Sequence, residues 1–222
     1  MQRTGTDMRH ALDRSIKQSF RTQEVAPQQG NILRLAATLG PASGIAMVMT
    51  AAKLKRGFSW KRDTLSSLMN ADRKELGYMF QAGTVESGLA TLLLANVLRK
   101  DHKGCLVAMV GEVALITAAI GLVGTGITNG PREKQHGKFA TTFFVSGPLA
   151  LVIEGIDMMM HGSRAWGAAT AGAGLAAGSV AIAGLDGHRL PARAEAVHAA
   201  LVGVGGIMAG TARFMPISRC MR

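Results

Sequence analysis

The chain predicts an all-α fold: a polytopic membrane bundle of six transmembrane helices, preceded by an amphipathic surface helix. Six apolar stretches of roughly 20 residues, the length a bilayer crossing needs, occupy 31–52, 76–98, 104–127, 138–160, 165–185 and 194–215. Each is rich in Ala, Gly, Leu, Val, Ile and Met and is apolar around most of the helix circumference, without the sustained charged face of a soluble helix. The links at 99–103 and 161–164 are short and polar, as hairpins between adjacent crossings require. These features exclude a soluble bundle. They divide the chain into an arm (1–30), a transmembrane domain (31–215) and a short basic tail (216–222).

The arm comes first. Residues 1–30 lack the apolar core of a secretory signal. Met8, Ala11, Leu12, Ser15, Ile16, Ser19 and Phe20 follow helical spacing and share one face, with Arg9, Arg14, Lys17 and Arg21 mostly elsewhere. Such a helix lies in the headgroup layer or binds a partner. The arm also resembles an organelle transit peptide, which is Arg-rich and amphipathic, but Asp7, Asp13 and Glu24 count against that reading. Pro27 and the Gln-Gln-Gly after it are expected to break this helix before the first crossing.

Within the spans, Pro41 and Pro148 each remove a backbone donor and predict kinks in the first and fourth. The fifth span, mostly Gly and Ala, is the weakest of the six. Gly174 and Gly178, and Gly206 and Gly210, stand one helical turn apart and predict close packing of the last two spans on each other or on a neighbouring subunit.

The net charge of +11 would suggest nucleic acid in a soluble protein. Here the basic residues sit in loops and the arm, so the expected partners are membrane lipids with anionic headgroups, or other membrane subunits, and not nucleic acid. Lys and Arg divide almost evenly between the two faces, so charge bias sets no orientation. Cys105 and Cys220 form neither a disulfide framework nor a metal-type spacing.

Four acids fall in or near the crossings: Glu86, Glu112, Glu154 and Asp157. A lone charge at mid-bilayer costs ~2.5–3.5 kcal/mol, so these side chains are expected to face the interior, paired or hydrogen-bonded. Thr84, Ser87 and Thr91 extend a polar stripe around Glu86. Alternating crossings place Glu112 and Glu154 at similar depth.

The opposite end gathers different chemistry. Ser66 and Ser67, Glu133 and His136, Asp186 and His188, and Glu195 and His198 fall in connections or span ends on one side of the bundle. His and carboxylate ligands suit zinc, with His136, His188 and His198 as candidates, and a metal-bound water beside Ser66 would suit hydrolysis of a lipid amide or ester. No HExxH motif is present, and no cofactor is expected.

Two groups of segments carry a family resemblance. One is GFSWKRDTLSSL at 57–68 followed by YMFQAGTVESG at 78–88. The other is GLVG at 121–124, GPREKQH at 130–136 and ATTFF at 140–144. Over residues 40–150 this resembles the DRAM-like six-helix membrane proteins and their prokaryotic relatives. The resemblance implies a six-helix fold, a link to autophagy regulation or lipid-anchor remodelling, and Ser66, His136 and Phe143 as motif positions.

The functional expectation is a non-catalytic integral protein that binds lipid or partner subunits, as in an accessory subunit of a larger complex. The alternative is a lipid-remodelling hydrolase or transferase using Ser66, His136, Glu195 and His198. A proton-coupled transporter using Glu86 and Glu112 is third. The expected location is an organellar membrane, such as the mitochondrial inner membrane, or the cell membrane.

Overall fold

The computed structural model describes residues 27–101, 105–128, 133–185 and 190–212. The expected amphipathic arm and the basic tail, with Cys220, lie outside the described residues, as does His188. The chain divides into two compact units, 1–33 and 34–222. Described residues of the first are only the opening turns of α1; every site below lies in the second.

The fold is all-helical, with no strand among the described residues. The helices are α1 (Pro27–Leu54), α2 (Lys74–Asp101), α3 (Leu106–Ile127), α4 (Glu133–Met160), α5 (Arg164–Leu185) and α6 (Ala192–Ala212), with a short 3-10 helix (Leu65–Asn70) between α1 and α2. Consecutive helices from α2 to α6 pack in sequence, and α6 returns to touch α2 and α4.

Among the described residues, five helices are long and apolar enough to cross a membrane: α1 over Ile32–Leu54, α3, α4 over Lys134–Met160, α5 over Arg164–Ala183, and α6. Large apolar side chains also face outward, and several polar ones are buried within. Val113, Leu175 and Ile182 are more than 60% exposed, whereas Asp157 and His198 are fully buried. That distribution suits hydrocarbon as the surrounding solvent, and the chain is an integral membrane protein. The stretch at 76–98 departs from expectation. α2 is long enough, but Gln81, Thr84, Glu86, Ser87 and Thr91 dilute its apolarity.

Helix ends differ instructively from the apolar boundaries. Pro27 opens α1, and Gln28, Gln29 and Gly30, expected to lie in a break, are helical; the arm helix expected before them lies outside the described residues. Proline fits the first helical position because its missing N–H would have no partner there. α1 and α4 continue through Pro41 and Pro148. The end of α4 is set by Gly162, whose φ of 97° is left-handed. The Ser163 N–H then reaches back to the Met158 carbonyl at 2.9 Å, a Schellman-type stop.

α1 and α2 meet at a glycine seam. A Cβ on Gly83 would lie 2.5 Å from the Gly44 carbonyl oxygen, and one on Gly44 would collide with Gly83 in turn. Ser43 donates to the Glu86 carboxyl across this seam, and Ser87 Oγ donates to the Pro41 carbonyl at 3.3 Å.

Close approach does occur in the late helices, but not as a contact between the two glycine pairs. Gly174 lies tight against Pro148 and Leu151 of α4, and Gly210 against Thr38 of α1. Gly178 and Gly206 make only ordinary contacts.

Candidate functional site

The loop after α1 builds one wall. Thr64 caps the 3-10 helix: its Oγ1 accepts from the Ser67 N–H at 3.2 Å, the expected role of threonine at a helix start. Ser67 Oγ donates to the Thr64 carbonyl at 2.7 Å, and the Ser66 and Thr64 hydroxyls share a hydrogen bond of 3.0 Å. Lys55 Nζ reaches the Ser67 carbonyl at 3.3 Å. Buried Leu65 and Leu68 anchor this turn against Val48 and Ala52 of α1, Leu76 and Phe80 of α2, and Ala192 and Ala196 of α6.

The start of α6 is tied to the same loop. The Ala192 N–H donates to the Asp63 carbonyl at 2.6 Å and the Arg193 N–H to Trp60 at 3.0 Å, satisfying helix-start donors that lack intrahelical partners. Glu195 completes the join, its Oε2 accepting the Leu65 N–H at 2.5 Å. Replacing Glu195 by alanine is expected to leave that N–H unsatisfied and cost about 1–3 kcal/mol. Glutamine, whose amide oxygen can still accept, should recover most of the loss. Thermal unfolding of the three proteins in one detergent checks this, and equal loss in both variants would contradict it.

Together these elements line one side of a half-open cavity of about 520 Å³. Its polar end holds Thr64, Ser66, Ser67, Asn70, His136 and Glu195; its apolar wall includes Ile45, Val48, Phe80, Leu122, Phe143 and Phe144. Among the described residues that line it, none is Lys or Arg. A second, smaller cavity of about 60 Å³ lies among Leu94, Leu115, Leu151 and Val202. Ile45, Ser87, Leu122, Phe143 and Ala199 border both.

His136 is held in one tautomer. Its Nδ1 lies 3.0 Å from the Thr125 carbonyl oxygen and 3.1 Å from that of Thr128. Both are acceptors only, so Nδ1 carries a proton, and in the neutral form of the ring the lone pair is on Nε2.

The structure thus brings Ser66, His136 and Glu195 to one cavity. His198 does not line it. That ring is fully buried, with Nδ1 3.0 Å from the Ala177 carbonyl oxygen and its centroid 4.5 Å from Phe144. Phe143 belongs to the cavity wall and also packs edge-on to His198.

The intramembrane acids separate. Glu86 bonds Ser43, and Glu112 pairs with Arg99 at 3.5 Å. Glu154 is buried against α3, where a Cβ on Gly111 would lie 2.6 Å from its Oε1, so Gly111 makes room for the carboxyl. Glu112, the next residue of α3, thus lies at a depth similar to that of Glu154. Asp157 lies at the end of α4 with Cys105 and His161. Thr84 and Ser87, expected as neighbours of Glu86, instead turn their face to the large cavity, and Thr91 to the smaller. Sequence reasoning had no signal for that rotation.

No curated protein and no solved structure matches the chain. The DRAM-like resemblance does not hold, because the family model that matches is a different one and spans residues 38–212. The short motifs behind that resemblance use residue types that many helix-connecting loops share. The chain belongs to the DUF998 family, described as a protein of unknown function.

Proposed function

We propose that this protein holds one membrane amphiphile inside its helical bundle, polar head at the Thr64–Glu195 end and acyl chain among α1, α3, α4 and α6. The observation that carries this reading is the polar-to-apolar cavity of about 520 Å³, which shares Ile45, Ser87, Leu122, Phe143 and Ala199 with a smaller apolar pocket. Mostly apolar concavities with a few convergent polar groups are the usual form of a ligand site. In this reading α2 is the sixth crossing. Its polar face is spent on the cavity and on α1, so the helix need not be apolar all round.

The polar end sets selectivity. An acyl chain gains little by moving from lipid to an apolar cavity, since both are equally apolar. Discrimination therefore rests on Thr64, Ser66, Ser67, Asn70, His136 and Glu195. With one carboxyl, several hydroxyls and no cation, this set suits an uncharged, hydroxyl-bearing head such as glycerol. The anionic lipids expected from composition have a separate place: Lys53, Arg56, Lys61, Arg62, Arg73 and Lys74 are exposed around the same loop and attract an anionic surface.

A monoacylglycerol carrying a diazirine on its chain tests this in proteoliposomes. Adducts are expected on Ile45, Leu122 and Phe143. Adducts confined to outward residues such as Val113, Leu175 and Val204 would refute the internal site.

A further inference from the structure

A second cluster lies at the opposite ends of α3 and α4 and has no part in the cavity. Cys105 immediately precedes α3. It occupies the N-cap position, where Ser, Thr, Asp or Asn normally serves, and makes no side-chain cap hydrogen bond. Its sulfur turns instead to Asp157, with Sγ 3.5 Å from Oδ1. His161 follows Asp157 by four residues, one turn on, and its Nδ1 lies 3.2 Å from the same oxygen. One ligand atom from each of the three residues falls within 4.8 Å of the others. Asp157 is fully buried and Cys105 and His161 are partly so. The Schellman-type stop at Gly162 fixes where His161 leaves the helix.

We infer that Cys105, Asp157 and His161 form a binding site for zinc or a zinc-like divalent transition metal, joining the start of α3 to the end of α4. Zinc takes thiolate at about 2.3 Å, imidazole nitrogen at about 2.0–2.1 Å and carboxylate oxygen at about 2.0–2.2 Å, in a tetrahedron. Those bond lengths put sulfur and oxygen about 3.5 Å apart, and nitrogen and oxygen about 3.3 Å apart. The separations of 3.5 and 3.2 Å match both edges. The ligand set also selects the metal class, since a thiolate suits zinc and disfavours magnesium and calcium.

Charge and protons balance. One proton leaves Cys105 for solvent, and the thiolate and the Asp157 carboxylate together neutralise the divalent ion, which suits a buried place. His161 Nδ1 also lies 2.8 Å from the Asp157 carbonyl oxygen and donates there in the metal-free protein. Loading moves that proton to Nε2 and turns the Nδ1 lone pair to the metal. The described residues supply three ligands, and water or a further ligand takes the fourth position.

The test is cobalt(II) titration of the untagged full chain, purified in detergent without chelator. One equivalent should bind, with a near-ultraviolet thiolate-to-cobalt band, and zinc should displace it. C105S should abolish that band, and C105S and H161A should each weaken zinc binding at least about tenfold, since even outer-shell changes cost about 10–100-fold. H136A should leave it unchanged. Should one variant fail to fold by circular dichroism, the other decides. Absence of saturable binding, or binding unaltered in the folded variants, overturns the site and leaves a hydrogen-bonded trio; neither outcome bears on the amphiphile cavity.

Discussion

Replacing Gly83 by leucine is expected to separate α1 from α2 and give the largest loss of stability of any single change considered. The seam is backbone against backbone: a Cβ on Gly83 would lie 2.5 Å from the Gly44 carbonyl oxygen, and Val48 and Met47 are also in the way at 3.1 and 3.2 Å. No flexible side-chain end can move aside for the first of these contacts. Overpacking in a well-fitted interior typically costs about 1–3 kcal/mol, and more where backbone must shift. In a membrane bundle the loss is sharper in kind, because close packing and interhelical hydrogen bonds, not expulsion of water, hold the helices together. The Ser43–Glu86 and Ser87–Pro41 bonds would be lost with the seam. Gly83→Leu should lower the thermal midpoint in detergent strongly and Gly83→Ala less. Gly172→Leu, at a position where a Cβ meets nothing, should change it little. A Gly83→Leu protein as stable as the parent would show that the α1–α2 contact is not close.

The two ends of the bundle show how far sequence reaches. Apolarity marked the helices well where they are surrounded by hydrocarbon on several sides, as in α3 and α5. At α2 it marked the helix, but Gln81, Thr84, Glu86, Ser87 and Thr91 leave that helix short of the apolarity of the other five. It missed the start of α4 at Glu133, since Lys134, Gln135 and His136 continue the helix beyond the apolar stretch. Hydropathy reads the solvent a residue prefers and not whether the chain is helical.

The site was partly legible for a similar reason. Alternation of crossings put Ser66, His136 and Glu195 at one end, and the structure gathers them around one cavity. What parity cannot give is rotation about each helix axis. That rotation sends His198 behind Phe144 and brings Thr84, Ser87 and Phe143 to the cavity wall. The Cys105–Asp157–His161 cluster shows the same limit. Asp157 and His161 stood one turn apart in the sequence, but their cysteine comes from another helix, and only packing of α3 on α4 unites the three.

Ala199 offers the sharpest probe of the cavity, because it borders both the large chamber and the smaller pocket. It is partly buried in α6, where its methyl leaves room beside Leu122 and Phe143. Phenylalanine there would fill space that is already empty, so it should not carry the usual overpacking penalty of a filled interior. It would, however, fill space assigned to the proposed acyl chain, and at least a tenfold loss of affinity is expected, about 1.4 kcal/mol. Native mass spectrometry of the detergent-purified chain counts bound amphiphiles directly. The wild-type protein should retain one hydroxyl-headed amphiphile per chain, and Ala199→Phe, folded and equally helical, should retain none. Equal retention by both proteins, or none by the wild type after addition of monoacylglycerol, would contradict an amphiphile held within the bundle.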